Sequence, residues 1–419
     1  MRIAVIGAGI AGLGAAYLLG RKHEVVVYEA EQRLGGHTHT HAIELAGEKH
    51  AVDTGFIVFN PDHYPLLTRL FGELGVESQP TIMSFAVKNE ITGLEYNATN
   101  PERLFCQRRN LLRPKFWGMV RDILRFYREA PALLADPAPG PTIGEYLYRG
   151  GYGALFIEDH LLPMASALWS SPTETVMDFP AKYLVQFMAN HQMLDPGTRK
   201  PWQVVRGGSS RYLDKLVPAI RAEFRRGAPV LSLQRDADGV TLRVDGDLSR
   251  FDQVVLACHA DQALAMLGDA SSAETEVLGA MRFQRNDTVL HTDTSLLPRN
   301  RRAWAAWNAL RLKPDPRHPA AHSCTVSYSM NLLQWLATDT QFIVTLNATQ
   351  RIDPAKILAR MDYAHPLYSH ASVAAQARWA EISGARRTWY AGAYWGWGFH
   401  EDGLRSGVRV AQALGCDWT

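Results

Sequence analysis

The chain has 419 residues, enough for two or three domains, and its 47% hydrophobic and 21% charged content describes a globular protein with a sizeable core. A formal net charge of +2 gives no global attraction to acidic partners, so any such preference must be local. Four cysteines (Cys106, Cys258, Cys324, Cys416) lie far apart without a CxxC pair, which opposes a zinc ribbon or disulfide framework and suits a reducing, cytoplasmic compartment.

The opening MRIAVIGAG reads as a strand rather than a signal peptide, and no run approaches ~18 uninterrupted apolar residues, so no transmembrane helix is predicted. RIAVIG (2–7) is an apolar run of buried parallel-strand type. It enters Gly7-Ala-Gly9-Ile-Ala-Gly12, then a stretch with helical spacing, then a second buried strand, EVVVYE (24–29), which ends in an acid. All the parts of a dinucleotide-binding βαβ unit are present. Gly7 permits the tight turn, Gly9 the approach of a pyrophosphate, and Gly12 close packing of helix on strand. The helix N-terminus supplies unpaired N–H groups to the anion. Glu29 would accept ribose hydroxyls, which argues against a 2′-phosphate ligand.

Past Glu29 comes Arg33-Leu34-Gly35-Gly36-His37-Thr38, then a strand-like AVDTGFIVF (51–59). On these residues the sequence resembles the FAD-dependent amine oxidase superfamily, which includes monoamine oxidases, phytoene desaturases and protoporphyrinogen oxidases. The resemblance implies FAD as cofactor. Arg33 then meets phosphate, Gly35 and Gly36 run beside the flavin with His37 and Thr38, and the Asp53-Thr54-Gly55-Phe56 backbone lies near the isoalloxazine. His37, His39 and His41 alternate, which aligns them on one face of a strand. No carboxylate cluster adjoins them, so no metal is expected. A flavin-facing His37, or a histidine linked covalently to the flavin, fits better.

From 101 to 130, Arg103, Arg108, Arg109, Arg113, Lys115, Arg121, Arg125 and Arg128 stand against Glu102, Asp122 and Glu129, interleaved with apolar residues at helical spacing. Such a helix (within 108–130) either seats its apolar face in the protein core or lies on an anionic membrane surface as a peripheral contact. No nucleic-acid-binding module accompanies it, so no nucleic acid partner is expected. Thr142-Ile-Gly-Glu145 is a candidate capping box. LLPMASALWSSP (161–172) resembles a stretch of amine-oxidase substrate domains and walls a tunnel or is ordinary core.

Three later segments extend the resemblance. VVRGGSSRYLDKL (204–216) is a strand turning into a helix, APVLSLQRDADGVTLRV (228–244) a strand, turn and strand, and FDQVVLACHADQALAML (251–267) a strand and helix. Val230 sits where the family pairs its backbone with the adenine. In YAGAYWGWGFHEDGLRSG (390–407) Glu401 or Asp402 offers an N-cap and Gly415 a C′ end for a last helix. By resemblance, N–H groups of Gly403 and Leu404 face the flavin pyrimidine, and Tyr394, Trp395 and Trp397 stand near the ring. The chain departs from many relatives at Ala391-Gly392-Ala393, where an acid usually binds the ribitol. No cysteine occupies the C-terminal loop where monoamine oxidases attach flavin. The GGHTHT and AYWGWGFHEDGLRSG variants resemble a bacterial subgroup that accompanies cyclopropane-fatty-acid-synthase-like methyltransferases and includes desaturases making furan-type fatty acids.

The expected fold is α/β: a Rossmann-like FAD-binding domain from residues 1–75, 200–270 and 380–419, interleaved with a mixed-sheet and helical substrate domain of 76–199 and 271–379. The expected activity is an FAD-dependent oxidoreductase, a desaturase of methyl-branched unsaturated fatty acyl chains, free or in phospholipid, with hydride passing to flavin N5. His400, Glu401 and His39 are the candidate bases. The electrons go to dioxygen or a carrier. A flavin amine oxidase producing hydrogen peroxide, with Tyr394 and a tryptophan as its aromatic cage, is the alternative. A non-catalytic FAD-binding scaffold is the third. Sequence leaves the oligomeric state open.

Overall fold

A computed structural model describes residues 1–45, 47–169, 173–191, 193–194, 201–313 and 323–418. The first apolar run forms β1 (Arg2–Ile6), followed by α1 (Ile10–Leu19) and β2 (Glu24–Tyr28). β1 is buried on both sides because it lies mid-sheet. The sheet order is Glu223–Arg225, β2, β1, Gln253–Leu256, Thr388–Tyr390, and all four pairings are parallel. Strands far apart in sequence thus meet in one sheet, with the Gly7–Gly12 turn at the C-terminal edge of its central strand. That edge is where open α/β sheets bind ligands.

The C-terminal helix His400–Ala413 packs along α1. Glycine is required in that contact: a Cβ at Gly407 would overlap the carbonyl oxygen of Ala11, and one at Gly403 would come within 2.8 Å of Ile10 Cγ2. A second sheet is seven-stranded and mixed. Its order is Ile357–Pro366, Phe283–His291, Ile343–Leu346, Cys324–Ser329, Trp307–Arg311, Phe85–Asn89, Glu95–Asn97. Only the Trp307–Arg311 and Phe85–Asn89 pair is parallel. Helices between residues 114 and 190 cover it and share one aromatic-rich core with it. The architecture is the expected α/β class.

Local expectations meet the structure as follows. Thr142 and Glu145 form a reciprocal capping box at the start of Ile143–Arg149. The 228–244 hairpin forms as Val230–Arg235 and Val240–Val244, extended by a third strand, Asp247–Phe251. The segment 161–172 gives the buried helix Leu162–Trp169, and its last three residues lie outside the described ones. Gly415 takes the left-handed conformation (φ 77°) just past the last helix. The basic segment forms the helix Pro114–Glu129, with Phe116, Met119 and Phe126 in the core, yet Trp117 and Leu124 point outward and Leu112, just before it, is 88% exposed. Among the described residues no helix is long and apolar enough to cross a membrane.

Candidate functional site

The glycine turn is built as a cradle. A Cβ at Gly7 would lie 2.7 Å from the Ala257 carbonyl oxygen, and one at Gly12 would overlap the Gly7 carbonyl oxygen, so both positions exclude side chains. Gly9, by contrast, has nothing within 4 Å of where its Cβ would be. It also heads α1 without a side-chain cap, and the first turn carries no acid, which leaves the helix N–H groups to an anion. Glu29 stands at the end of β2, its carboxylate accepting from Ala8 N (2.8 Å) and Glu31 N (3.0 Å). Val230 begins the strand next to this corner, where Ala228 N donates to the Glu29 carbonyl at 2.9 Å.

The loop 33–38 folds over the cradle. Gly35 (φ 113°) and Gly36 (φ 55°) both need glycine's conformational freedom, and Gly35 N donates to the Ala8 carbonyl. The Arg33 guanidinium turns back onto its own loop, donating to the Thr38 carbonyl at 2.8 Å and pairing with Glu31. Gly55 presses on the same loop so tightly that a Cβ would overlap the His37 carbonyl oxygen, and Phe56 N donates to that oxygen. Below lies a closed triangle: Thr38 Oγ1, Tyr212 OH and His400 Nε2 sit 2.7–3.0 Å apart, with Phe56 stacked on the His400 ring at 3.8 Å. Burial pushes His400 down to about 3, so its imidazole is neutral.

The structure separates the three candidate bases. His400 Nε2 is committed to the Thr38 and Tyr212 hydroxyls. The Glu401 carboxylate accepts the N–H groups of Leu66 (3.1 Å) and Leu67 (2.9 Å), so it caps the helix α2 (Pro65–Leu74). His39 is half-buried and lowered to about 4 by desolvation, then by Arg33 and His41. Its Nδ1 meets the Tyr363 hydroxyl at 2.9 Å, and its ring lies 4.0 Å from His41.

The expected N-cap of the last helix, Glu401 or Asp402, is corrected. The helix starts at His400 with Phe399 as N-cap. Asp402 accepts from the backbone N–H groups of Trp397 and Phe399 within the first turn, and burial raises its carboxyl to about 6. The N–H of Gly403 donates to the Phe399 carbonyl at 3.1 Å, and Leu404 is buried in the core it shares with α1. The three aromatics expected near the ring divide between two cores. Trp397 and Phe399 join a wall with Tyr183, Phe187, Trp169 and Tyr368, through ring contacts such as Phe187–Phe399 (4.9 Å) and Tyr183–Tyr368 (4.7 Å). Tyr394 instead packs toward the parallel sheet with Phe283, and Trp395 lies beside it at 5.3 Å. Where relatives place an acid, Gly392 N is bound by the Ser406 hydroxyl at 2.8 Å.

Tyr212, Tyr363, His259 and His365 belong to the site although sequence reasoning did not select them. Tyr212 lies inside the 204–216 segment, but a tyrosine on a helix carries no local sign that it will meet residues 174 and 188 positions away. The residues present fit FAD. The cradle is shaped for a diphosphate, Glu29 for the ribose, and the shielded His37 Nε2 has no partner within the protein. Among the described residues no group of three His, Cys, Asp or Glu side chains is arranged to hold a metal.

The model of the family described as flavin containing amine oxidoreductase matches residues 10–282. An L-amino-acid oxidase of Demansia vestigiata is 49% identical over 47 residues, 11% of this chain and 9% of that protein, so the match spans about a tenth of the curated relative. Two solved structures share the fold along nearly the whole length. Cyclohexylamine oxidase from Brevibacterium oxydans IH-35A has a TM-score of 0.68 at 17% identity, covering 99% of this chain and 98% of that one. The CLA-producing fatty acid isomerase from P. acnes has a TM-score of 0.67 at 16% identity, covering 100% and 99%.

Proposed function

Because the chain belongs to the flavin containing amine oxidoreductase family and is an FAD-dependent oxidoreductase, we propose that it desaturates a methyl-branched unsaturated fatty acyl chain, lipid-linked, as its bacterial subgroup resemblance suggests. The supporting observation is the apolar wall of Trp169, Tyr183, Phe187, Tyr368, Trp397 and Phe399. It belongs to the same core that seats the helix Pro114–Glu129, so apolar packing runs from that helix to the aromatic loop. A protein with this fold, the P. acnes isomerase, acts on a fatty acid. The division into an FAD-binding part (1–75, 200–270, 380–419) and a substrate part (76–199, 271–379) belongs to the same proposal.

Gly7, Gly9, Gly12, Gly35 and Gly36 would hold the cofactor's diphosphate side, Glu29 its ribose, and Thr38, Gly55 and Phe56 the flavin side. Bound FAD supplies the hydride acceptor. The protein's own part is to orient and to move a proton. His39 is the base in this reading: its ring is neutral, its Nδ1 is held by Tyr363, and its Nε2 is left to take the allylic proton. His400 and Glu401 position the loop and the two helix ends. The wall excludes water from the acyl chain. The outward apolar and basic face of 108–130 docks on an anionic membrane from the cytoplasmic side, and the electrons leave to dioxygen or a carrier.

A second reading has one observation of its own. A cavity of about 220 Å³ beside the wall is lined by Asp62, His63, His191, Glu401, Asp402 and Arg405 among others, and three carboxylates suit a cationic amine. One experiment separates the two: anaerobic absorbance of the purified holoenzyme with liposomes of methyl-branched monounsaturated phospholipid. The acyl reading expects loss of the oxidised-flavin band near ~450 nm, slowed about a hundredfold in His39→Gln. A spectrum unchanged by the lipid but bleached by a primary amine overturns it in favour of an amine oxidase releasing hydrogen peroxide.

A further inference from the structure

Three imidazoles gather at the mouth of the glycine cradle, one from each wall. His37 follows Gly36, where a Cβ would lie 3.1 Å from Gly9 Cα. His259 follows Ala257 and Cys258, the residues that press on Gly7 from the other side. The two rings are 6.1 Å apart and so straddle the turn. His365 comes from the opposite sheet, on Ile357–Pro366, with its ring 5.3 Å from His37. The His37 ring is partly exposed, but its Nε2 is shielded from solvent and has no partner, a state a buried polar atom adopts only at a cost. Asn286 Nδ2 donates to His365 Nδ1 at 2.8 Å, which puts the His365 proton on Nε2.

We propose that His37, His259 and His365 together clamp the diphosphate of FAD, and that the cluster takes up protons as the cofactor binds. The proposal stands on the cofactor alone and is indifferent to whether the substrate is an acyl chain or an amine. Burial disfavours the cationic form of all three rings, and His365 is brought down to about 4. Each cation also repels the others. The charged and titratable groups around them are Arg33 from the same loop, His400 from the last helix, Tyr363 from the strand of His365, and Asp261 beside His259. Arg33 and His400 add to the penalty, and Asp261 offsets it at His259 alone. A dianionic diphosphate reverses this balance, because an opposite charge at short range favours the protonated ring. Binding then raises the histidine pKa values, so protons enter with FAD and affinity falls as pH rises.

The test is dilution of the holoenzyme between pH 5.5 and 8.5, with the fluorescence of released FAD giving Kd. Kd should rise by about tenfold per pH unit wherever one proton is taken up. His37→Gln and His365→Gln keep a donor but cannot be protonated, and each should flatten that slope. Thermal unfolding at saturating FAD checks that the variants fold. ADP-ribose, used as a competitor, carries a diphosphate diester without a flavin and should show the native slope, whereas riboflavin should show none. A Kd that does not vary with pH overturns the proposal, as does a slope unchanged in both variants. A slope carried by riboflavin rather than ADP-ribose places the histidines on the flavin ring and overturns the diphosphate assignment. If neither variant folds, the ADP-ribose and riboflavin comparison on the native protein decides.

Discussion

Asp53 is fully buried where the strand Glu48–Asp53, the 207–210 turn and the segment around Gln334 meet. Its carboxylate accepts from Ser209 N and Oγ, from Thr40 Oγ1 and from Gln334 Nε2. Desolvation outweighs these bonds and raises it from the usual 3.8 to about 6. Between those two values the folded protein holds a proton that the unfolded chain has lost. Stability from this group is therefore full below about pH 4, declines as pH rises to about 6, and is level above. A rise of that size corresponds to at most about 3 kcal/mol. Asp402, also held near 6 by burial, contributes with the same sign. Urea unfolding at pH 4.5 and 7 should show a smaller decline in Asp53→Asn than in the native protein; equal declines would assign the effect elsewhere. Residues of this kind were only half legible. Asp53, Gly55 and the cradle glycines stood in recognisable local spacings, since each answers a short-range demand of turn or close approach. Tyr212, His259 and His365 did not, because what recruits them is a partner from another element.

At the scale of elements, the contact between α1 and the last helix decides whether the cradle keeps its shape. α1 is buried almost all round and is headed by the cradle itself, so a shift of the last helix is passed straight to Gly9 and Gly12. Gly407→Ala forces a Cβ into the Ala11 carbonyl, backbone that cannot swing aside as a flexible side chain would. The expected cost is about 1–3 kcal/mol, seen as a lower thermal midpoint together with a reduced flavin-to-protein absorbance ratio in the purified variant. Gly72→Ala is the control, since nothing lies within 4 Å of that position, and it should retain the native ratio. Sequence placed this helix correctly but began it too late. Acids favour helix starts, so Glu401 and Asp402 looked like N-caps. Their carboxylates in fact serve other backbone groups, Glu401 those of α2 and Asp402 those of the preceding loop. A hydrogen bond to a distant helix leaves no trace in local spacing.

For the whole molecule, three strands of the parallel sheet (β1, β2 and Gln253–Leu256) were readable from separated segments because each carries a continuous apolar run next to a recognisable turn, which Glu223–Arg225 and Thr388–Tyr390 do not. The mixed sheet was expected through the family resemblance, but its individual strands were not placed, since they pair across tens of residues and several carry buried polar side chains such as Asn286, Thr288 and Thr345. The basic helix was readable as amphipathic, but its surroundings decide what the outer face does. Leu112 (88%), Trp117 (48%) and Leu124 (53%) are exposed, and Ile91 at a neighbouring hairpin tip is too, with Arg109 bridging to Gly93 of that hairpin. A surface mixing apolar side chains with Arg113, Lys115 and Arg121 suits an anionic bilayer, where each basic residue adds about 1 kcal/mol and the apolar groups enter the headgroup boundary. Co-sedimentation should therefore be strong with phosphatidylglycerol vesicles, weak with phosphatidylcholine vesicles, and reduced at high salt. Leu112→Glu with Trp117→Glu should lower vesicle binding about tenfold or more. The same variant should keep its FAD, because neither side chain reaches the cradle. Equal binding to both kinds of vesicle would remove the electrostatic part of the argument. No binding to either would return the outer face of this helix to an ordinary solvated surface and leave the substrate to arrive without a membrane.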